Sequence, residues 1–204
     1  MRRSKNRVAD GAAQGSVMIW IGIGGLGFLL YYLYDLNQAF WGKPLLRGGF
    51  AAGCLLLLGA SGALFAGARA SYRGGAAGVL LLAGAALFFA LLVYTLFFAL
   101  PHNTYQGAQG SGSLCDTGMY ALCRHPGVWW LAGGYFCLAG AFPAPVCWGA
   151  AACFTALDVL YIVLQDRVIF PRTIPGYTQY RRSTPFLFPT WGSIQKARGG
   201  RHEV

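Results

Sequence analysis

The chain has 204 residues, of which 56% are hydrophobic and 11% are charged, whereas an ordinary soluble domain carries about 25% charged residues. This composition excludes a soluble globule and a disordered chain, because the first needs more surface charge and the second is poor in apolar groups. The net charge of +10 does not indicate a nucleic-acid-binding module, since the basic residues lie at the ends and between apolar stretches, and an integral membrane protein is the class that remains.

Stretches without charged residues predict where the chain crosses the membrane, because a helix needs roughly 20 apolar residues to span the hydrocarbon. These stretches are continuously apolar, whereas the strands of a membrane barrel alternate. They predict an all-α, polytopic membrane protein with about five transmembrane helices, and no cleavable signal pattern precedes the first helix. The predicted spans are 17–34, 49–67, 76–99, 127–142 and 146–165, of which the last two form a hairpin around Pro143 and Pro145.

The basic residues predict the orientation of these spans. Seven Lys and Arg residues follow position 166, which favours a cytoplasmic C-terminal tail under the positive-inside rule. Five crossings then place the N-terminus outside, whereas its own basic residues at positions 2, 3, 5 and 7 favour the cytoplasm. The side of the N-terminus therefore stays open, and so does the oligomeric state.

Two patterns that occur in functional sites are interpreted as structural here. Gly22, Gly24 and Gly27 match Gly-x-Gly-x-x-Gly, but this pattern binds a dinucleotide only between a strand and a helix. Inside a membrane span, small residues favour close packing of helices. The six cysteines contain no Cys-x-x-Cys pair, so no metal site is predicted.

The segment between the third and fourth predicted spans begins with a polar, glycine-rich loop at 102–113. Further on, Arg124 and His125 directly precede Pro126, which suits the first turn of a helix because its missing N–H needs no partner there. Both side chains are therefore predicted at the point where the chain re-enters the membrane. Spacing alone leaves two interpretations open, a donor-rich binding point or an arginine that sets topology followed by a histidine that caps a helix.

The fifth predicted span carries a polar stripe. Asp158 lies in the middle of this apolar helix, where a carboxyl group is costly and usually faces a partner or a cavity. At about 100° per residue, Tyr161 and Gln165 fall within about 60° of Asp158, and the stripe leads to Asp166 at the helix exit. It is either a hydrogen-bonding contact with a neighbouring helix or one wall of a binding site.

Two blocks of residues, in this order along the chain, resemble the signature of a known family. The first precedes the helical hairpin, and the second begins at the exit of the last helix and ends in an apolar stretch closed by Pro189. The blocks are Gly118-x-Tyr120-x-x-x-Arg124-His125-Pro126 and Gln165-Asp166 with Tyr177, Tyr180 and a following basic run. They resemble the integral-membrane methyltransferases of the isoprenylcysteine carboxyl methyltransferase and phosphatidylethanolamine N-methyltransferase superfamily. The resemblance covers roughly residues 90–190, and this chain has Gln165-Asp166 where the family commonly has Glu-Glu.

The resemblance implies a site at the cytoplasmic face for S-adenosylmethionine (SAM) and for a lipophilic or prenylated methyl acceptor from the membrane. Arg124 and His125 would hold the carboxylate of SAM, with Arg preferred for a two-bond grip, and Asp166 would receive its ammonium group. Arg124 and Asp166 are expected to matter most for catalysis. The implied cofactor-binding set is Gly118, Tyr120, Arg124, His125, Pro126, Asp166, Tyr177 and Tyr180, and the implied substrate-facing set is Asp158, Tyr161 and Gln165.

On this interpretation residues 1–75 form an N-terminal tail and two transmembrane helices, and residues 76–204 form a methyltransferase-like core whose C-terminal tail covers the cofactor. Membrane lipids are expected partners, and nucleic acid is not. Two other functions stay open, an NADPH-dependent membrane reductase of similar fold and a non-catalytic membrane scaffold. The nucleophile of the acceptor, whether oxygen, nitrogen or sulfur, is also open.

Overall fold

The structure, a computed structural model, describes the backbone of residues 2–100 and 114–199 and the side chains of 18–100 and 114–198. The predicted polar loop at 102–113 lies outside the described residues. Within them the chain forms nine α-helices and no strand, which confirms the all-α prediction. The helices are α1 (Arg2–Leu36), α2 (Gly49–Gly67), α3 (Gly75–Phe97), α4 (Met119–Leu122), α5 (Gly127–Ala141), α6 (Pro145–Leu164), α7 (Phe170–Thr173), α8 (Tyr177–Ser183) and α9 (Trp191–Gly199).

Four helical segments of the described chain are long and apolar enough to cross a membrane, which fits the predicted polytopic protein. They are Met18–Trp41, Pro44–Gly67, Gly75–Phe97 and Pro145–Thr173. The remaining predicted span, 127–142, is present as a helix but is not among these four. There α5 has 15 residues, or about 22 Å at 1.5 Å per residue, which is short of the roughly 30 Å of hydrocarbon.

The short helix α5 nevertheless joins the same two ends of the bundle as α6. Just before α5, Arg124 Nε lies 2.7 Å from Asp166 Oδ1, which follows the last residue of α6. At the other end of α5, the carbonyl of Ala141 accepts a hydrogen bond of 2.8 Å from the backbone N–H of Arg73, before α3. The two helices therefore form the predicted hairpin.

Small residues let α1 approach its neighbours closely. The carbonyl oxygen of Gly53 in α2 lies 2.9 Å from the position that a Cβ atom on Gly27 would take, and Gly24 faces the ring of Phe154 in α6 in the same way. Packing is thus the role of these two members of the Gly-x-Gly-x-x-Gly pattern. It is not the role of Gly22, because no neighbouring helix of the described chain comes within 4 Å of the position of its missing Cβ.

Five helices form an open ring in the order α2, α1, α6, α5 and α3. Each packs along the next, but α2 and α3, at the two ends of this series, have very little direct contact. Buried aromatic side chains fill the centre of the ring, among them Phe28, Tyr135 and Phe154. The ring leaves internal space towards one end, between α2 and α3.

Two widened π-helical turns shape that end of the bundle, Asn37–Trp41 after α1 and Gln165–Ile169 after α6. Such turns are rare and often occur at functional sites. In the first, the buried amide of Asn37 accepts a hydrogen bond from the Lys43 N–H at 2.7 Å and donates one to the Lys43 carbonyl at 2.9 Å. The second contains Asp166, and Ala39 of the first packs against Ile169 of the second, so both irregular turns lie at the same end of the bundle.

Candidate functional site

The loop between α4 and α5 places Arg124 against the C-terminal segment. Gly118 begins α4 with a φ of +58°, a left-handed value that favours glycine. The chain is extended at Cys123, and Pro126 precedes the first turn of α5. Between them, the backbone N–H of Arg124 donates to the carbonyl of Pro185 at 3.0 Å, so residues distant in sequence meet at this loop.

Arg124 and Asp166 form a buried ion pair with two parallel hydrogen bonds. Arg124 donates from Nε to Asp166 Oδ1 at 2.7 Å and from Nη2 to Oδ2 at 3.1 Å. The two side chains are 7% and 4% exposed. Asp166 also accepts a hydrogen bond of 2.7 Å from the Tyr177 hydroxyl, and Arg181 Nε lies 3.3 Å from its second oxygen. Both carboxylate oxygens of Asp166 are therefore occupied by donors from the protein.

The other terminal nitrogen of Arg124 caps the end of α8. Its Nη1 donates to the carbonyl of Arg181 at 2.9 Å and to the carbonyl of Thr184. The last carbonyls of a helix lack partners within the helix and are often bonded by basic side chains. Since a guanidinium has five N–H groups, one N–H of Nη2 keeps no acceptor within the part of the chain that the structure describes.

His125 is held beside the ion pair as a neutral ring. Its Nε2 lies 3.4 Å from Asp166 Oδ1, and its ring stacks on Phe170 and meets the edge of Phe186. Burial lowers the pKa of His125 below its ordinary value, although the hydrogen bond and charge of Asp166 act in the opposite direction. At pH 7 the imidazole therefore supplies one donor and one acceptor and no positive charge.

The two tyrosines of α8 anchor this helix on the bundle. Tyr177 donates to Asp166, and the hydroxyl of Tyr180 donates to the backbone carbonyl of Tyr120 at 2.6 Å. Tyr120 in turn donates to the carbonyl of Thr95 in α3 at 3.0 Å. Burial raises the pKa of both Tyr177 and Tyr180, so both phenols remain protonated donors at neutral pH.

A cavity of about 720 Å³ connects this cluster with the interior of the helix ring. This volume lies within the range of about 300–1,000 Å³ that is usual for ligand pockets. Most of the wall is apolar, and two groups of polar residues lie on it. Tyr120, Arg124, His125, Tyr177 and Tyr180 line one end, and Asp35, Asp158, Tyr161 and Gln165 line the part inside the membrane-spanning helices.

The cavity brings most of the sequence-predicted site residues together. The implied cofactor-binding residues Tyr120, Arg124, His125, Pro126, Tyr177 and Tyr180 line it, and so does the whole stripe Asp158, Tyr161 and Gln165. Gly118 and Asp166 do not lie on this wall. Gly118 makes the turn into α4, and Asp166 lies behind the wall, where it holds Arg124 and Tyr177.

Asp35 is a site residue that the sequence analysis did not identify. It is 6% exposed, and one of its carboxylate oxygens accepts a hydrogen bond of 2.8 Å from Gln165 Nε2. A signal for it exists in the sequence, because Phe28 and Tyr31 precede it by seven and four residues and share its helix face. An acid on an otherwise aromatic face predicts burial beside a polar partner.

The cavity reaches the outer surface of the bundle between α2 and α3. Leu58 of α2 and Val93 and Phe97 of α3 line the cavity, yet they are 70%, 48% and 52% exposed. The rings of Phe50 and Phe97, with centroids 6.3 Å apart, meet across this gap near the site end. An apolar molecule in the membrane therefore has a lateral route to the polar groups inside.

Comparison of the chain with protein-family models, with curated proteins and with solved structures finds no match. The features of this chain that indicate a function are the geometry of this cavity and the two sequence blocks that meet around it.

Proposed function

We propose that this protein transfers a methyl group from SAM to a lipophilic acceptor at the membrane boundary. The observation that carries the proposal is one continuous cavity. It joins the Arg124 end, where polar donors converge, to a deeper region that opens between apolar helices. A donor with polar groups and an apolar acceptor from the membrane can thus occupy the same space.

The polar end of the cavity fits the carboxylate of SAM. Arg124 keeps one N–H of Nη2 for a ligand, and the neutral ring of His125 lies next to it. Asp166 then acts as a positioning residue, because its two hydrogen bonds fix the guanidinium plane at the wall. This assignment differs from the sequence-based expectation that Asp166 receives the ammonium group of SAM, since its oxygens are already occupied.

The protein's contribution to methyl transfer is alignment in a dry space. SAM supplies an electrophilic methyl group, and the nucleophile must approach it in line with the carbon–sulfur bond. Holding two reactants in such an arrangement can contribute roughly 7–11 kcal/mol. The rings of Tyr120, Tyr177 and Tyr180 supply flat walls at the donor end, and the gap at Leu58 and Val93 admits the acceptor.

Calorimetry on the purified protein in lipid nanodiscs tests the donor. S-adenosylhomocysteine carries the same carboxylate and adenine as SAM, and we expect it to bind while NADPH does not. Binding of NADPH alone would support a membrane reductase instead, and binding of neither would support a non-catalytic scaffold.

A pair of arginine variants connects binding to the site. Arg124→Lys removes the planar fork and is expected to weaken S-adenosylhomocysteine binding at least about tenfold, since a charged hydrogen bond is worth roughly 1.5–3 kcal/mol. Arg73→Lys is the matched control, because Arg73 Nε donates to the Gly140 carbonyl at the opposite end of the bundle. Equal affinity in the two variants, with both proteins folded, would remove Arg124 from the proposed site.

A further inference from the structure

Asp158 differs from the other acids of the site because it faces the cavity from the middle of a membrane-spanning helix. It precedes Asp166 by eight residues, which places it about 12 Å deeper along the helix at 1.5 Å per residue. A carboxyl group at such a depth is costly unless another group compensates it. The surroundings of Asp158 therefore indicate what it is for.

Within residues 18–100 and 114–198, no hydrogen bond or ion pair reaches Asp158. Two phenols near it, Tyr31 and Tyr32, have other acceptors. Tyr31 donates to Cys54 Sγ at 3.4 Å, and Tyr32 donates to the carbonyl of Leu157 at 3.4 Å. Neither hydroxyl is available to the carboxyl group.

The third phenol near Asp158 is Tyr135, and it is also engaged. Its hydroxyl lies 2.7 Å from Ser61 Oγ, and Ser61 donates its own proton to the carbonyl of Leu57 at 2.7 Å. Tyr135 must therefore be the donor to Ser61. Asp158 is left as a hydrogen-bond acceptor that points into an apolar cavity with its protein neighbours already committed elsewhere.

We infer that Asp158 binds the positively charged amino group of the methyl acceptor, which is a long-chain lipophilic amine. This inference rests on the proposed function and names the chemical class of its substrate. An ammonium group supplies both the charge and the N–H donors that Asp158 lacks. The apolar wall and the opening beside Leu58 accommodate the hydrocarbon chain. A carboxylate acceptor would instead bring a further negative charge beside Asp158 and Asp35 into a space of low dielectric constant, where the repulsion is strong.

The same carboxylate can take the proton that an ammonium group must lose before it becomes a nucleophile. The N–H proton moves to Asp158, and the nitrogen lone pair forms a bond to the methyl carbon of SAM. The carbon–sulfur bond breaks with its electron pair on sulfur, which gives S-adenosylhomocysteine and the N-methylated ammonium product. Asp158 then releases its proton to water, so one proton is produced for each methyl group transferred.

Binding measurements without SAM test the inference. Octadecylamine and octadecanoic acid are each titrated into the protein in nanodiscs of zwitterionic lipid, and empty nanodiscs give the background. We expect the amine to bind at least tenfold more tightly than the acid. Asp158→Asn is expected to lose this preference and Asp158→Glu to keep it, and Asp116→Asn, which changes an exposed acid, is the matched control.

The Asp158→Asn protein is expected to fold, because no hydrogen bond of Asp158 is lost, and its unfolding midpoint should equal or exceed that of the natural protein. Equal amine affinity in Asp158→Asn and the natural protein would overturn the inference, and so would equal affinity for amine and acid. Amine binding that depends on Asp158 without methyl transfer from SAM would support the amine site and refute the proposed function. Binding of S-adenosylhomocysteine without any preference for the amine would support the proposed function and overturn the amine site.

Discussion

Replacing Asp166 by asparagine removes the negative charge that holds Arg124, Tyr177 and Arg181 at one point. The guanidinium of Arg124 is 7% exposed, so in Asp166→Asn a buried charge loses its counter-charge. Removing one partner of a buried ion pair costs about 3–5 kcal/mol. Arg181 is 41% exposed, and its separate contribution stays within the roughly 0–1 kcal/mol of a surface pair. We therefore expect Asp166→Asn to lower the free energy of unfolding by about 3–5 kcal/mol.

Thermal unfolding of the purified protein measures this loss. For a chain of this size 1 kcal/mol corresponds to a midpoint shift of about 2–4 °C, so the expected fall is about 6–20 °C. Asp116→Asn is the matched control, because Asp116 and Lys196 form a pair 3.8 Å apart whose side chains are 49% and 44% exposed. Its midpoint should fall by less than about 4 °C.

A double variant separates the ion pair from general damage to the site. Arg124→Met combined with Asp166→Leu removes both charges, and replacing a buried pair by apolar groups is often neutral. The double variant is therefore expected to be more stable than Asp166→Asn alone. Similar midpoints for Asp166→Asn and Asp116→Asn would refute the view that Asp166 organises this end of the bundle.

Gly53→Ala should lower the free energy of unfolding by about 1–3 kcal/mol, because the new Cβ would lie 2.7 Å from the Gly27 carbonyl. Gly62→Ala in the same helix has open space around its new Cβ and should not destabilise the protein. Equal unfolding midpoints of the two variants would contradict this packing. Because burial puts the folded-state pKa of His125 below the unfolded value of about 6.5, unfolding takes up a proton in acid. The contribution of His125 to the free energy of unfolding is thus fully present above about pH 6.5 and is lost as the pH falls below it. His125→Gln should flatten this pH profile, and an unchanged profile in that variant would contradict this role of His125. Burial raises the pKa of Cys123 to about 11, so at pH 8 maleimide should modify the half-buried Cys115 well before Cys123, and mass spectrometry showing the reverse order would contradict the assigned burial.

The long helices could be predicted from the sequence because hydrocarbon demands continuous apolar runs. The bounds of α2 coincide with the predicted 49–67, and α3 and α6 begin within one residue of the predicted positions. The bounds of α5 also lie within one residue of the predicted 127–142, but the loop at Arg124 and the turn at Pro143 leave it only 15 residues, which is short of a full span. Charge-free intervals locate apolar segments but do not measure how far each one runs perpendicular to a membrane.

The sequence could predict which residues form most of the site, but not which of them bond to each other. Arg124 and Asp166 flank the two ends of a hairpin, so sequence order alone puts them at one end of the bundle. Whether they face a ligand or each other depends on how α8 folds back, and no local pattern decides that. Asp35 belongs to the first long helix, and only the packing of α1 against α6 brings it to Gln165.

Transfer of a labelled methyl group tests the central claim most directly. The purified protein is incubated with methyl-labelled SAM and total membrane lipids, and the lipid fraction is extracted and its labelled species identified. We predict that label enters the lipid fraction with the natural protein and with Arg73→Lys, and that Arg124→Lys reduces it strongly. A lipid fraction without label above the protein-free background would contradict the proposal that this cavity is a methyltransferase site.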